Sequence, residues 1–148
     1  MKKYLLAVLT VLLLAGCKST PKFTDVSGKE WKLTDVRLND KSINFDRNTL
    51  DSEGYGEIFT LVFDNGQLSG IGAPNRFSAS FTLGKNQAIE VKQLSETTME
   101  PLRQPEKLKE KDYFAYIQNA YEWTLLSNNL ELSAKSEASD EVVLVFSL

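Results

Sequence analysis

The 148 residues contain no histidine and one cysteine, Cys17. Without imidazole, Ser–His and Cys–His relays and histidine proton shuttles are excluded. The thiolate and imidazole sets that hold structural or catalytic zinc are excluded with them. A lone thiol also leaves the chain without an internal disulfide. These absences predict no catalytic set, no metal and no cofactor. Positive charge is in short supply as well: 17 Lys and Arg stand against 20 Asp and Glu, a formal net charge of −3. Nucleic-acid binding, which needs a basic face, is therefore not expected. Long apolar runs are almost missing too. The one run, Tyr4 to Leu14, is shorter than the roughly 20 residues a helix needs to cross a bilayer.

That run has a context. Lys2 and Lys3 precede it, and Leu14-Ala15-Gly16-Cys17 follows it. A charged start, a short apolar core and small residues at a cleavage point describe a secretory signal peptide. The last four residues resemble the bacterial lipobox. That resemblance implies a diacylglyceryl group on the Cys17 thiol, cleavage before Cys17, and acylation of the new amino end, with palmitate as the expected chain. Each buried acyl CH₂ adds about 0.8 kcal/mol of membrane affinity, so two or three chains anchor firmly. Residues 1–16 are thus read as the signal peptide, 17–27 as a lipidated polar tether and 28–148 as one domain. Lys2 and Lys3 lie in the leader, which leaves 15 basic against 20 acidic side chains in the mature chain. Electrostatic docking on anionic lipid is disfavoured by that balance, so the anchor must supply the membrane link. Lys18 stands where an aspartate is associated with inner-membrane retention in enterobacteria, which favours the outer membrane over the inner.

Beyond the tether, apolar residues alternate with period two, the mark of half-buried strands. Trp31, Leu33, Val36 and Leu38 form one set, slipped after Leu33 in the manner of a β-bulge. Phe59, Leu61 and Phe63 form the next, closed by Asp64-Asn65-Gly66, a strong hairpin signal. The return strand begins at Leu68. Phe77, Ala79, Phe81 and Leu83 alternate again, followed by a turn at Gly84-Lys85-Asn86 and a strand with Ile89 and Val91. Asn39 to Gly56 reads as a long polar loop with Ile43 and Phe45 tucked in, either a binding element or a surface insertion. Ser95 to Pro105 is irregular. Leu108, Tyr113, Phe114, Ile117 and Ala120 recur at helical spacing and predict a helix from Glu106 to about Ala120, begun at Pro105. Its polar face carries Lys107, Lys109, Glu110, Lys111 and Asp112. Trp123 with Leu125, Leu130 with Leu132, and Val142, Leu144 and Phe146 supply the last strands. The fold class is α+β, mostly β: an antiparallel curved sheet or partly open barrel of seven to eight strands with one packed helix.

Several short motifs occur in order along this framework. They are Gly28-x-x-Trp31-x-Leu33, the Phe63 strand with Gly70 and Gly72, Asn75-Arg76-Phe77-Ser78, Thr97-Thr98-Met99, and the ending Leu130-x-Leu132 with Leu144-x-Phe146. Together they resemble the META domain, the HslJ-like group of small bacterial envelope proteins, over nearly the whole mature chain. The resemblance implies a strongly curved antiparallel sheet with a helix against it and no catalytic signature. Where that family often has cysteines, this chain has Ala73-Pro74 and Glu100-Pro101, so any cross-link resting on them is absent. Ala79 likewise replaces a glycine.

The candidate loop or binding residues are Gly70, Asn75, Arg76, Thr98 and Met99. Asn75 is suited to bonding its own loop and fixing a turn. Arg76 either binds an anion or faces water. Ser69 lacks the spacing and the histidine of a nucleophile elbow, and Gly70-Ile71-Gly72 lacks the third glycine of a phosphate cradle. The expected function is that of a non-enzymatic, membrane-anchored envelope lipoprotein. It would bind a protein or lipid partner in envelope maintenance or stress response. The alternatives are a pilot or carrier holding an acyl chain or a partner segment in a barrel groove and, further behind, a hydrolase with two facing carboxylates.

Overall fold

The computed structural model describes residues 20–100 and 104–148. The leader and Cys17 lie outside the described residues. Ten strands alternate with two helices: β1 Glu30–Leu38, β2 Lys41–Asn44, α1 Arg47–Ser52, β3 Thr60–Asp64, β4 Gln67–Ile71, β5 Arg76–Leu83, β6 Ile89–Val91, β7 Ser95–Glu96, α2 Glu110–Gln118, β8 Ala120–Leu126, β9 Asn129–Lys135 and β10 Glu141–Ser147. The sheet order is β6-β5-β4-β3-β1-β10-β9-β8, and every pairing is antiparallel. The predicted slip after Leu33 is a shift of register between Leu33 and Asp35. It turns Val36 back to the core and lets β2 and β3 share one edge of β1, on either side of the bulge. Asn65 and Gly66 both take positive φ, 47° and 77°, as a tight hairpin with the right-handed twist requires.

The end strands meet and nearly close the sheet into a barrel. Ala88 bridges Glu122, and the Trp123 N–H donates to the Gln87 carbonyl at 3.0 Å. Gln118, the half-buried last residue of α2, staples this seam. Its Oε1 accepts from the Leu94 N–H at 2.7 Å, and its Nε2 donates to the carbonyls of Val91 and Lys92 at 3.1 and 3.0 Å. Replacing Gln118 by Ala orphans three backbone groups and is expected to cost about 2 kcal/mol. Amide exchange should accelerate first at Leu94 and along β6, with β9 and β10 still protected; uniform acceleration would argue against a local staple.

Two aromatic clusters fill the barrel. At one end Phe23 inserts between Phe63, Phe81 and Trp123, with ring centroids 5.3, 5.4 and 5.1 Å away. At the other, α2 lays Tyr113, Phe114 and Ile117 over Phe59 and Phe77, with Phe59–Tyr113 at 5.1 Å and Phe77–Phe114 at 5.2 Å. The pilot reading wanted an open apolar groove beside this helix. On the sheet-facing side of the helix Tyr113, Phe114 and Ile117 are buried, while a surface cavity lies beside Pro105, Glu106 and Lys107 just ahead of it.

Four sequence expectations change. The domain begins before Gly28: Phe23–Asp25 form a one-turn 3-10 helix, Val26 is fully buried, and its carbonyl accepts from Trp31 Nε1 at 2.9 Å. The tether is shorter by the same residues. The helix is Glu110–Gln118 rather than Glu106–Ala120, because Lys109 is extended and Ala120 already belongs to β8. The 39–56 loop is built from β2 and α1. Arg47 fixes it by donating to the carbonyls of Leu33, Gly56 and Ile58 at 3.3, 2.8 and 3.0 Å. Short β2 and β7 raise the strand count to ten.

Candidate functional site

The polar centre of the fold lies where the β4–β5 connection meets the start of α2. Glu110 is the buried charged side chain among the described residues. One of its oxygens, Oε2, accepts the N–H of Ala73 and, at 2.6 Å, the N–H of Asn75. Oε1 accepts from Asn75 Nδ2 at 2.7 Å. The Ala73–Pro74 peptide is cis, and the loop is closed by the Gly72 N–H donating to the Asn75 carbonyl at 2.7 Å. Gly72 has no room for a side chain: a Cβ there would fall 2.6 Å from the Phe114 ring and 2.7 Å from Glu110.

Asn75 extends the network to a third segment. Its Nδ2 also donates to the Met99 carbonyl at 3.0 Å. Its Oδ1 accepts the Met99 N–H at 2.7 Å and the Thr97 hydroxyl at 2.9 Å. A carboxylate only accepts and a backbone N–H only donates, so one orientation of the amide satisfies all four contacts, and its hydrogen-bonding capacity is full. Thr97 is tied further by its backbone N–H to the Arg76 carbonyl and by its hydroxyl from the Arg76 N–H, both at 3.0 Å. Strands β4 and β5, the segment after β7 and the N-terminus of α2 thus converge on one buried amide–carboxylate pair.

Of the sequence-proposed residues, Gly70, Asn75 and Met99 belong to this region. Gly70 is a packing position: a Cβ there would meet the Thr60 carbonyl oxygen at 2.0 Å. Met99 contributes its main chain while its side chain is exposed. Thr98 is exposed and makes none of these bonds; Thr97 is the threonine that does. Arg76 is exposed, with no ion-pair partner among the described residues, and lies beside shallow hollows lined by Phe77, Ser69 and Thr97. Cys17 lies outside the described residues. Sequence reasoning missed Glu110, which sits in a run of charged residues and was assigned to the helix's solvent face. With the helix expected to start at Glu106, no sequence signal set Glu110 apart from its charged neighbours. Among the described residues no cluster of His, Cys, Asp and Glu suits a metal. The partners of Glu110 are N–H groups rather than a second carboxylate, so the glycosidase-like pair is not formed there.

The 39–56 segment lines a surface cavity of about 380 Å³ with Pro105, Glu106 and Lys107 on its far wall. Below it Tyr113 is fully buried and donates to the Thr60 carbonyl at 2.9 Å. Burial raises its phenol well above the usual value near 10, and the nearby Arg47 charge opposes that rise. Burial likewise lowers the Arg47 guanidinium. A phenol whose folded pKa is raised keeps its proton while the unfolded chain loses its own. Stability is therefore full below pH 10 and falls above it, by about 1.4 kcal/mol per pH unit for this group. Tyr113→Phe should flatten that alkaline slope in urea titrations between pH 9.5 and 11; an unchanged slope contradicts the assignment.

The fold is a nearly closed antiparallel barrel with one helix packed against it and a buried amide–carboxylate pair, Asn75 and Glu110, at its polar centre. The META domain model matches residues 24–147, and the chain belongs to that family, which is generally non-catalytic. No curated protein matches the chain. Among solved structures it is similar to a protein from Burkholderia xenovorans determined by NMR, with TM-score 0.59, 14% identity and coverage of 99% of both chains. It is also similar to a DUF4847 family protein from Bacteroides vulgatus, with TM-score 0.54, 16% identity and coverage of 84% of this chain and 95% of that one. At these identities the likeness concerns the fold.

Proposed function

We propose that the chain is an envelope lipoprotein whose META domain works by binding a protein or lipid partner, in envelope maintenance or stress response, without catalysis. The observation that carries the reading is the Leu14-Ala15-Gly16-Cys17 sequence behind a charged and apolar leader, six residues ahead of the first packed residue, Phe23. Saturation of Glu110 by N–H donors supports the non-catalytic part, since a carboxylate so engaged has no free face for acid–base work. The order Cys17-Lys18 favours the outer membrane. In fractionated cells the wild-type protein is expected in the membrane pellet, with a mature N-terminus at Cys17 whose mass carries the lipid. Cys17→Ala should shift it to the soluble or unprocessed pool. An unmodified mature Cys17, or a Cys17→Ala protein still bound as wild type, refutes the anchor. Partners are then sought by crosslinking in intact cells with both forms.

A further inference from the structure

The strand registers gather one rim of the barrel around the entry of the tether. Lys32 faces Ser147, Asn129 faces Ser147 and Leu126, Asp64 faces Gln67, and Leu83 faces Ile89. The start of β1, the end of β10 and the turns β3–β4, β5–β6 and β8–β9 therefore lie at the same end, with Phe23 in the middle. Five large apolar side chains are exposed among the described residues. Three of them, Leu83 at 46%, Leu126 at 53% and Leu148 at 63%, stand on this rim. A hollow between half-buried Phe23 and Phe81 and exposed Leu83 adds to the apolar surface. The other two lie away from the rim: Met99 after β7, and Tyr121 at the start of β8 with its hydroxyl on Glu141.

We infer that this rim is a lipid-contact surface: in the anchored protein the domain sits on the bilayer through Phe23, Phe81, Leu83 and Leu126. The inference rests on the lipid anchor proposed above. Five residues, Lys18 to Lys22, separate Cys17 from Phe23. Fully extended they span at most about 20 Å, less than the width of a domain whose radius of gyration is about 14 Å. The rim is thus held within a chain's reach of the bilayer, while the opposite end, with α2 and the Asn39-Asp40 turn, is held away. Apolar side chains gathered on the one end that the anchor presents to lipid have a partner of matching chemistry there. The rim's charged side chains, Lys22, Lys29, Lys32 and Lys85 beside Asp25, Glu30 and Asp64, nearly balance. Recognition is therefore by apolar contact and requires no anionic headgroup. The lysine stems can lie along the interface with their ammonium groups in water.

The test uses the full chain, lipidated in cells, purified and reconstituted into phosphatidylcholine vesicles. Leu83→Cys, Leu126→Cys and, on the opposite end, Asp40→Cys each carry a spin label; all three positions are exposed, so the fold tolerates them. Vesicle flotation is read first, because failure to float refutes the anchor and not the rim. In floating protein, the labels at 83 and 126 are expected to shift to greater relaxation by oxygen than by a water-soluble nickel complex, while the label at 40 favours nickel. Nickel access dominating at all three positions overturns the inference. Exclusion of both reagents at 83 and 126, as a second copy or a protein partner on the rim would produce, overturns it too.

Discussion

Asn75→Ala is expected to destabilise the domain by about 3–4 kcal/mol, enough to lower the melting temperature by roughly 10 °C. Asn75 is 7% exposed and its side chain makes four hydrogen bonds to two distant segments, Thr97–Met99 and the start of α2. Truncation removes one donor from the buried Glu110 carboxylate and leaves the Met99 N–H and carbonyl without their partner. Buried groups left unsatisfied account for more of the loss than the bonds themselves. Glu110→Gln should cost about 2 kcal/mol, because it turns an amide donor toward Asn75 Nδ2. The two losses are not independent. In the double variant the Glu110–Asn75 contact is missing on both sides, so the total should fall short of the sum by about 1 kcal/mol or more. Urea unfolding of the four proteins gives the coupling directly. Additivity within experimental scatter would mean that the pair does not act as one unit.

Much of the barrel was legible because its strands are half-buried. Leu130 and Leu132 alternate with polar neighbours, Leu61 and Phe63 and then Val142, Leu144 and Phe146 keep the period of two through interleaved valines, and Asn65-Gly66 states its turn chemistry locally. The bulge after Leu33 showed as a slip in the same pattern. The parts that escaped depend on contacts distant in the chain. Helix α1 buries one apolar residue, Leu50, and is secured instead by Arg47 reaching three carbonyls. No periodicity announces such an element. Phe23 is a single aromatic in a polar stretch, and its three ring partners are 40, 58 and 100 residues away. Asn75 was expected to bond its own loop, but its side chain reaches Thr97, Met99 and Glu110, all 22 or more residues further on. Its carboxylate partner was not legible, since Glu110 sits 35 residues further on, among lysines and an aspartate that face water. In the Thr97-Thr98-Met99 motif the structural contacts are made by the Thr97 hydroxyl and the Met99 main chain, and not by Thr98.

Among the described glycines, Gly70→Ala should have the largest effect, more than about 4 kcal/mol. The Gly70 Cα is pressed against the neighbouring strand: a Cβ would lie 2.0 Å from the Thr60 carbonyl oxygen and 2.8 Å from the Phe77 ring. Neither can yield cheaply. The Thr60 carbonyl accepts the Tyr113 hydroxyl at 2.9 Å, and the Thr60 hydroxyl accepts the Ile71 N–H at 3.1 Å. Moving Thr60 aside therefore breaks the β3–β4 junction and the anchor of α2 together. Phe77 is wedged against Tyr113 and Phe114, at 5.9 and 5.2 Å between ring centres. Gly66→Ala provides the contrast. Nothing lies within 4 Å of its Cβ, but its φ of +77° is a conformation alanine avoids, so it should cost only about 1–2 kcal/mol. Soluble yield and thermal unfolding of the pair separate the two causes. Gly66→Ala should fold and melt a few degrees early, whereas Gly70→Ala should give little soluble protein and no cooperative transition. A Gly70→Ala protein as stable as Gly66→Ala would show that β3 and β4 can part at Thr60, and that the helix does not depend on their close approach.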